Sequence, residues 1–167
     1  AAMEGLYDGT EGAGLVAFGV LNHKKEAFND DIDPYIFKFE IPKLLSLLGY
    51  RDFNAYVPGI KDIVEGGYTL PDGTVALSFE EKKERGEIAI LALADYQATK
   101  QQEKEAVLAG DNAKATSLSA DAANYENILR ENYAHFGYGH LEVAEDIIPH
   151  VPLTFYTFHI MVMIGMY

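Results

Sequence analysis

The 167-residue chain has no cysteine, which removes any disulfide framework and any thiolate metal site. Basic residues are scarce, 13 Lys and Arg against 26 Asp and Glu, for a formal net charge of −13. A phosphate-binding face needs Lys and Arg to displace counterions, so nucleic acid is excluded as a partner. The same deficit argues against docking on anionic lipid headgroups. From Glu131 to Tyr167 there is no Lys or Arg at all. Cytoplasmic flanks of membrane helices are enriched in those residues, so this flank reads as the outer side of a membrane. There is no leader-like or lipidation signal, and targeting information is expected to lie outside these residues. HEXXH, Cys-His zinc spacings, G-x-S-x-G and a Gly-rich phosphate loop followed by Lys and Ser or Thr are missing as well. No period of roughly 20 to 50 residues repeats, which excludes a solenoid.

What is present suits one modest core: 49% of residues are hydrophobic and 12% aromatic,. The most apolar stretch is the last, where Leu153 to Tyr167 contains no Asp, Glu, Lys or Arg. It is shorter than the roughly 20 residues that cross a bilayer and has no Gly, Pro or polar cap at its end. Residues 152–167 are therefore expected to be the start of a membrane helix that continues beyond them.

The remaining pattern is mainly α. Glu4 to Gly19 is rich in glycine and expected to be loosely ordered,. Asp31-Ile32-Asp33-Pro34 reads as a turn, because the residue before proline avoids the helical region. Ile41, Leu44, Leu45 and Leu48 follow helical spacing, with Pro42 in the first turn and Gly49 as the stop. Pro58 and Gly66-Gly67 bracket a second short helix carrying Ile60, Ile63 and Val64 on one face. Pro71-Asp72-Gly73 is a turn. Ser78 and Glu81 fit a capping box opening a long helix through Ile88, Leu91, Ala92 and Ala98 to near Gly110. Gly86 inside it costs about 1 kcal/mol relative to Ala, for no reason visible in the sequence. A second helix is expected from near Ser119, with Leu118, Ala122, Tyr125, Leu129 and Tyr133 on one side and Gly137 beyond its end. The two form an antiparallel hairpin across a polar turn from Gly110 to Ser117. The expected divisions are residues 1–73 with two short helices, 74–151 with the hairpin, and 152–167 as the membrane-helix stub.

Several of these residues carry a resemblance. Gly137 to Gly139 (GYG), Ile148-Pro149, Val151-Pro152-Leu153 and above all Phe158-His159-Ile160-Met161-Val162 resemble subunit I of the cytochrome bd quinol oxidases, where the large extracytoplasmic quinol loop closes into a membrane helix. Ala1-Ala2-Met3-Glu4 looks like the start of the same loop, and Phe18-Gly19-Val20, Ile41-Pro42 with Leu44, Leu45 and Leu48, and Pro58-Gly59-Ile60-Lys61 match its middle. The helical hairpin is what the long-loop members of the family carry as an insertion.

The resemblance implies that Glu4 is the quinol-binding glutamate, its partner Lys falling before Ala1. A carboxylate within hydrogen-bond reach of a hydroxyl can accept one of the two protons released on oxidation. It implies that Met161 is an axial ligand of the low-spin haem b, a thioether raising the potential of that iron. The family usually has Arg two residues before this Met; here the residue is His159. The parent would oxidise ubiquinol or menaquinol and reduce dioxygen to water with a second, high-spin haem b and haem d. Its partners would be subunit II, the other membrane helices of subunit I and the lipid bilayer, at the periplasmic face of a bacterial inner membrane. This piece by itself is expected to bind no haem and to be catalytically inert. His135, His140 and Glu142 read as structural residues at a turn. The competing reading is an acidic helical extracytoplasmic binding or adaptor module with a C-terminal anchor.

Overall fold

The computed structural model describes residues 1–165. The chain is mainly helical, as its periodicity predicts, with four short strands among the described residues. It divides into two compact units: residues 1–78 together with the segment from Ala144 onward, and Phe79–Val143.

The first unit opens with a 3-10 turn, Ala2–Glu4, closed by Gly5 in the left-handed region at φ 53°. Strands β1 (Thr10–Glu11), β2 (Leu15–Leu21) and β3 (Tyr35–Ile41) follow, then helix α1 (Leu44–Tyr50), strand β4 (Tyr56–Val57) and helix α2 (Ile60–Glu65). The glycine-rich beginning is thus paired rather than loose. β2 runs antiparallel to β3 from Leu15 opposite Ile41 to Leu21 opposite Tyr35, with shifts of register after Val16 and Val20. β1 pairs with β4. Gly12, at φ 61°, makes the turn between β1 and β2, and the Ala13 N–H that follows donates to Ser46 Oγ at 2.8 Å.

Helix α1 forms where the leucines predict it, but its limits differ. Ile41 belongs to β3, and the helix passes Gly49 to end at Arg51, whose left-handed backbone (φ 58°) lets its N–H reach the Leu47 carbonyl. Its one fully buried residue is Ser46, and Leu48 is exposed. Helix α2 lies between Pro58 and Gly66 as expected, with Ile60 and Val64 buried. Helix α5 (Val151–Gly165) carries Pro152 in its first turn, where a missing N–H costs nothing,. With the short 3-10 turn before it, it makes a 22-residue stretch, Ala144–Gly165, long and apolar enough to cross a membrane. Only its beginning is covered: Val151 packs with Tyr7 and Ile60, and Phe155 with Val16, Leu21 and Tyr35. Phe155 is 1% exposed, a burial worth roughly 2 to 3 kcal/mol. Outside these clusters the strands present bare aromatic surface, with the exposed Phe18 stacked on Phe39 at 5.2 Å between ring centroids.

The second unit is the antiparallel hairpin of α3 (Phe79–Leu108) and α4 (Asn112–Asn132), continued by a 3-10 segment, Tyr133–His140. α4 starts at Asn112, not near Ser119, because Asp111 caps it by accepting the Lys114 N–H at 3.1 Å and Gly110 turns the chain at φ 76°. The polar residues after Asp111 are solvent-facing helix. The buried seam is built from alanines, Ala89, Ala92 and Ala106 on α3 and Ala115 and Ala122 on α4. Tyr133, expected on the apolar side of the second helix, is exposed, as are Ile88 and Leu91 of α3. Small side chains let two helix backbones approach closely, and that seam displaces the larger residues outward. Gly137 is not the end of α4, which passes directly into the 3-10 segment.

Candidate functional site

Glu4 is the buried acid of the first unit, 8% exposed at the end of the opening 3-10 turn. Gly5 reverses the chain behind it, a position where a Cβ would lie 2.7 Å from the Tyr35 hydroxyl. That hydroxyl donates a short hydrogen bond to the Glu4 backbone carbonyl. The Glu4 carboxylate accepts the Val16 N–H at Oε2, 3.0 Å away. Burial raises the Glu4 pKa above its ordinary 4.5, opposed by the Val16 N–H and by the charge of His159. Burial and the neighbouring Glu4 also push Tyr35 up.

A cavity of about 260 Å³ opens at this carboxylate, lined among others by Val16, Tyr35, Lys38 and Glu40. Lys38 pairs with Glu40 at 2.7 Å on its half-exposed rim. The cavity therefore offers a buried proton acceptor, a phenol and a cation around a space large enough for a single aromatic ring system. A larger cleft, about 550 Å³, lies over Tyr7, Lys25, Phe28, His150 and Tyr156 and does not reach Glu4. Lys25 is paired there with Asp30 at 2.6 Å and set over the Tyr7 ring, much as Lys38 is paired with Glu40. The larger cleft has the carboxylates Glu26 and Glu145 on its wall; the smaller cavity differs in that its acid, Glu4, is buried and has its pKa raised by that burial.

His159 and Met161 sit on α5 with different surroundings. His159 Nε2 lies 2.8 Å from the Val16 carbonyl and Nδ1 2.8 Å from the Phe155 carbonyl. Carbonyl oxygens only accept, so a cationic ring satisfies both contacts and a neutral ring one. Two residues further along a helix is a rotation of about 200°, so Met161 points away from His159 and is 62% exposed. An exposed thioether is a soft side chain able to serve as a metal ligand.

Glu4, Val16 and His159 are brought together, and Met161 is set apart from them. The roles of Val16, Tyr35 and Lys38 have no motif. His135 and His140 make ring contacts with Tyr138 and Phe136 inside the second unit. No group of three His, Cys, Asp or Glu side chains among the described residues is arranged to hold a metal ion.

A family model described as cytochrome bd terminal oxidase subunit I matches residues 1–167, the whole chain. No curated protein and no solved structure matches it.

Proposed function

The chain belongs to the cytochrome bd terminal oxidase subunit I family, and on that footing we propose that it is the extracytoplasmic quinol-binding loop of such an oxidase, joined to the start of the next membrane helix. The parent is a membrane-bound quinol oxidase that uses haem b and haem d. What carries the finer reading is Glu4, a carboxylate buried beside a cavity of ring size. With Oε2 on the Val16 N–H, Oε1 is available to accept a hydrogen bond from a quinol hydroxyl. Oxidation of the quinol releases two electrons and two protons; Glu4 takes one proton and the other leaves from the second hydroxyl to water. Desolvation raises the proton affinity of this carboxylate, which suits an acceptor.

Met161 would be a ligand of the low-spin haem b, a group that would supply a one-electron acceptor when bound. The absence of Lys and Arg after Arg130 supports placing the loop on the outer, periplasmic face. Within residues 74–151 the hairpin unit, Phe79–Val143, is the insertion, and the residues after it are the closing part of the loop. The testing experiment is quinol-driven oxygen consumption by membranes with the full-length oxidase, native against Glu4→Gln at matched haem content. Loss of turnover with normal haem spectra is expected, and unchanged turnover would remove Glu4 from the site.

A further inference from the structure

Both backbone hydrogen-bonding groups of Val16 are taken by the two residues of interest: its N–H donates to Glu4 Oε2 at 3.0 Å, and its carbonyl accepts from His159 Nε2 at 2.8 Å. In an extended strand the N–H and C=O of one residue point to the same edge, so Glu4 and His159 meet β2 side by side. Val16 stands opposite Glu40 in the β2–β3 ladder, with the register shifting just after it, and its own N–H and carbonyl go to these two partners outside the ladder.

We propose that His159 is a positioning residue for Glu4, acting through Val16. This rests on the reading that Glu4 accepts a quinol proton. The imidazole has little freedom of its own: Nδ1 is held on the Phe155 carbonyl, and the ring lies 4.1 Å, centroid to centroid, from the buried Phe155 ring. It therefore transmits the position of α5 to Val16, and Val16 sets which way the carboxylate turns. Catalytic geometry tolerates little displacement, and a shift of about 1 Å in a reacting group costs up to 100-fold in rate. One helix thus carries the Met161 thioether and, through His159, orients the acid that takes the proton.

The test compares His159→Leu, which has no donor, with His159→Gln, whose amide can donate to the Val16 carbonyl, in the full-length oxidase. Quinol kcat and KM are measured beside the low-spin haem spectrum and oxygen uptake by chemically prereduced enzyme. The Leu variant should lose about tenfold in quinol kcat/KM, the size of one lost hydrogen bond, with the haem spectrum and the prereduced reaction retained. Gln should recover most of that loss. In the Glu4→Gln background, His159→Leu should cost the residual rate nothing further, because the residue it orients is already disabled. Equal impairment by Leu and Gln, or a full additional loss in the Glu4→Gln background, overturns the proposal. If the Leu variant assembles no haem, His159→Asn takes its place, its amide being too short to reach Val16. Should Glu4→Gln leave turnover intact, the site reading fails; should Glu4→Gln abolish turnover while His159→Leu does not change it, the positioning role alone fails.

Discussion

Gly86 in α3 and Gly139 in the 3-10 segment touch backbone to backbone: a Cβ on Gly86 would lie 2.3 Å from the Gly139 nitrogen, and one on Gly139 would lie 2.5 Å from the Gly86 carbonyl carbon. The contact accounts for a glycine in the interior of a 30-residue helix. Its propensity penalty of about 1 kcal/mol is accepted because any side chain would push the segment off the helix. Gly86→Ala should therefore destabilise the chain by about 1 to 3 kcal/mol, the usual cost of overpacking, even though alanine is the better helix former. Gly137→Ala, whose Cβ would meet nothing within 4 Å, should be neutral or slightly stabilising. Thermal unfolding of the two variants separates the contact from propensity, and a stabilised Gly86→Ala would refute it.

Ser46 provides a second check on packing. It is 0% exposed, and its hydroxyl accepts the Ala13 N–H and donates to the Ala55 carbonyl, both at 2.8 Å. Ser46→Ala strands the Ala13 N–H, while the Ala55 carbonyl keeps the Gly12 N–H at 3.2 Å, and one orphaned polar group costs about 1 to 3 kcal/mol. A urea midpoint should fall accordingly, with the Ala13 amide losing protection from hydrogen exchange. Full protection at Ala13 in the variant would mean that the serine is not what holds it.

The raised pKa of Glu4 makes a prediction with a definite sign. Its cause is burial, only partly offset by Val16 and His159. An acid whose folded pKa lies above its unfolded value contributes most to stability at low pH, below about 4.5, and loses that contribution as pH rises through the folded value. Native stability relative to Glu4→Gln should therefore decline across that interval and level off above it. Urea unfolding of both proteins over a pH series measures the difference; a rise with pH would show that the Val16 bond outweighs burial.

For Met161 the informative change is Met161→Leu in the full-length oxidase, a swap that conserves volume and removes sulfur. The side chain is exposed on α5, so the fold should be indifferent. On the proposed ligand role, the low-spin haem b band should be lost or converted to a high-spin spectrum, with quinol-driven turnover falling at least tenfold. A native spectrum in the variant would free Met161 from the ligand role.

The helices were legible because their evidence is local. Gly110, the Ser78 region and the Pro58 to Gly66 interval mark element limits within a few residues of where they lie. The strands were legible but outweighed: Tyr35 to Ile41 alternates and is rich in aromatic and β-branched residues, a strand signature, yet the adjoining leucines favoured a helix beginning at Ile41. The start of α4 was missed because a polar run reads as a turn unless Asp111 is recognised as its cap. Within the site, Glu4, His159 and Met161 came from the family resemblance. Val16 had no signal, since what it contributes is backbone, and its link to His159 spans 143 positions.

That span also bears on how the site is assembled. Phe79 at the start of α3 packs its ring against Tyr138, and Lys83 donates to the Glu142 carbonyl 59 positions away, so the hairpin is tied shut at its base. Once it has formed from its own near-neighbour contacts, the stretch between Val16 and His159 behaves as a much shorter loop, and closing it costs less chain entropy. By the same logic, a hairpin made longer or shorter by whole turns at the Gly110 end leaves that closure unchanged. The hairpin is free to vary in length without any bearing on where Glu4 meets Val16.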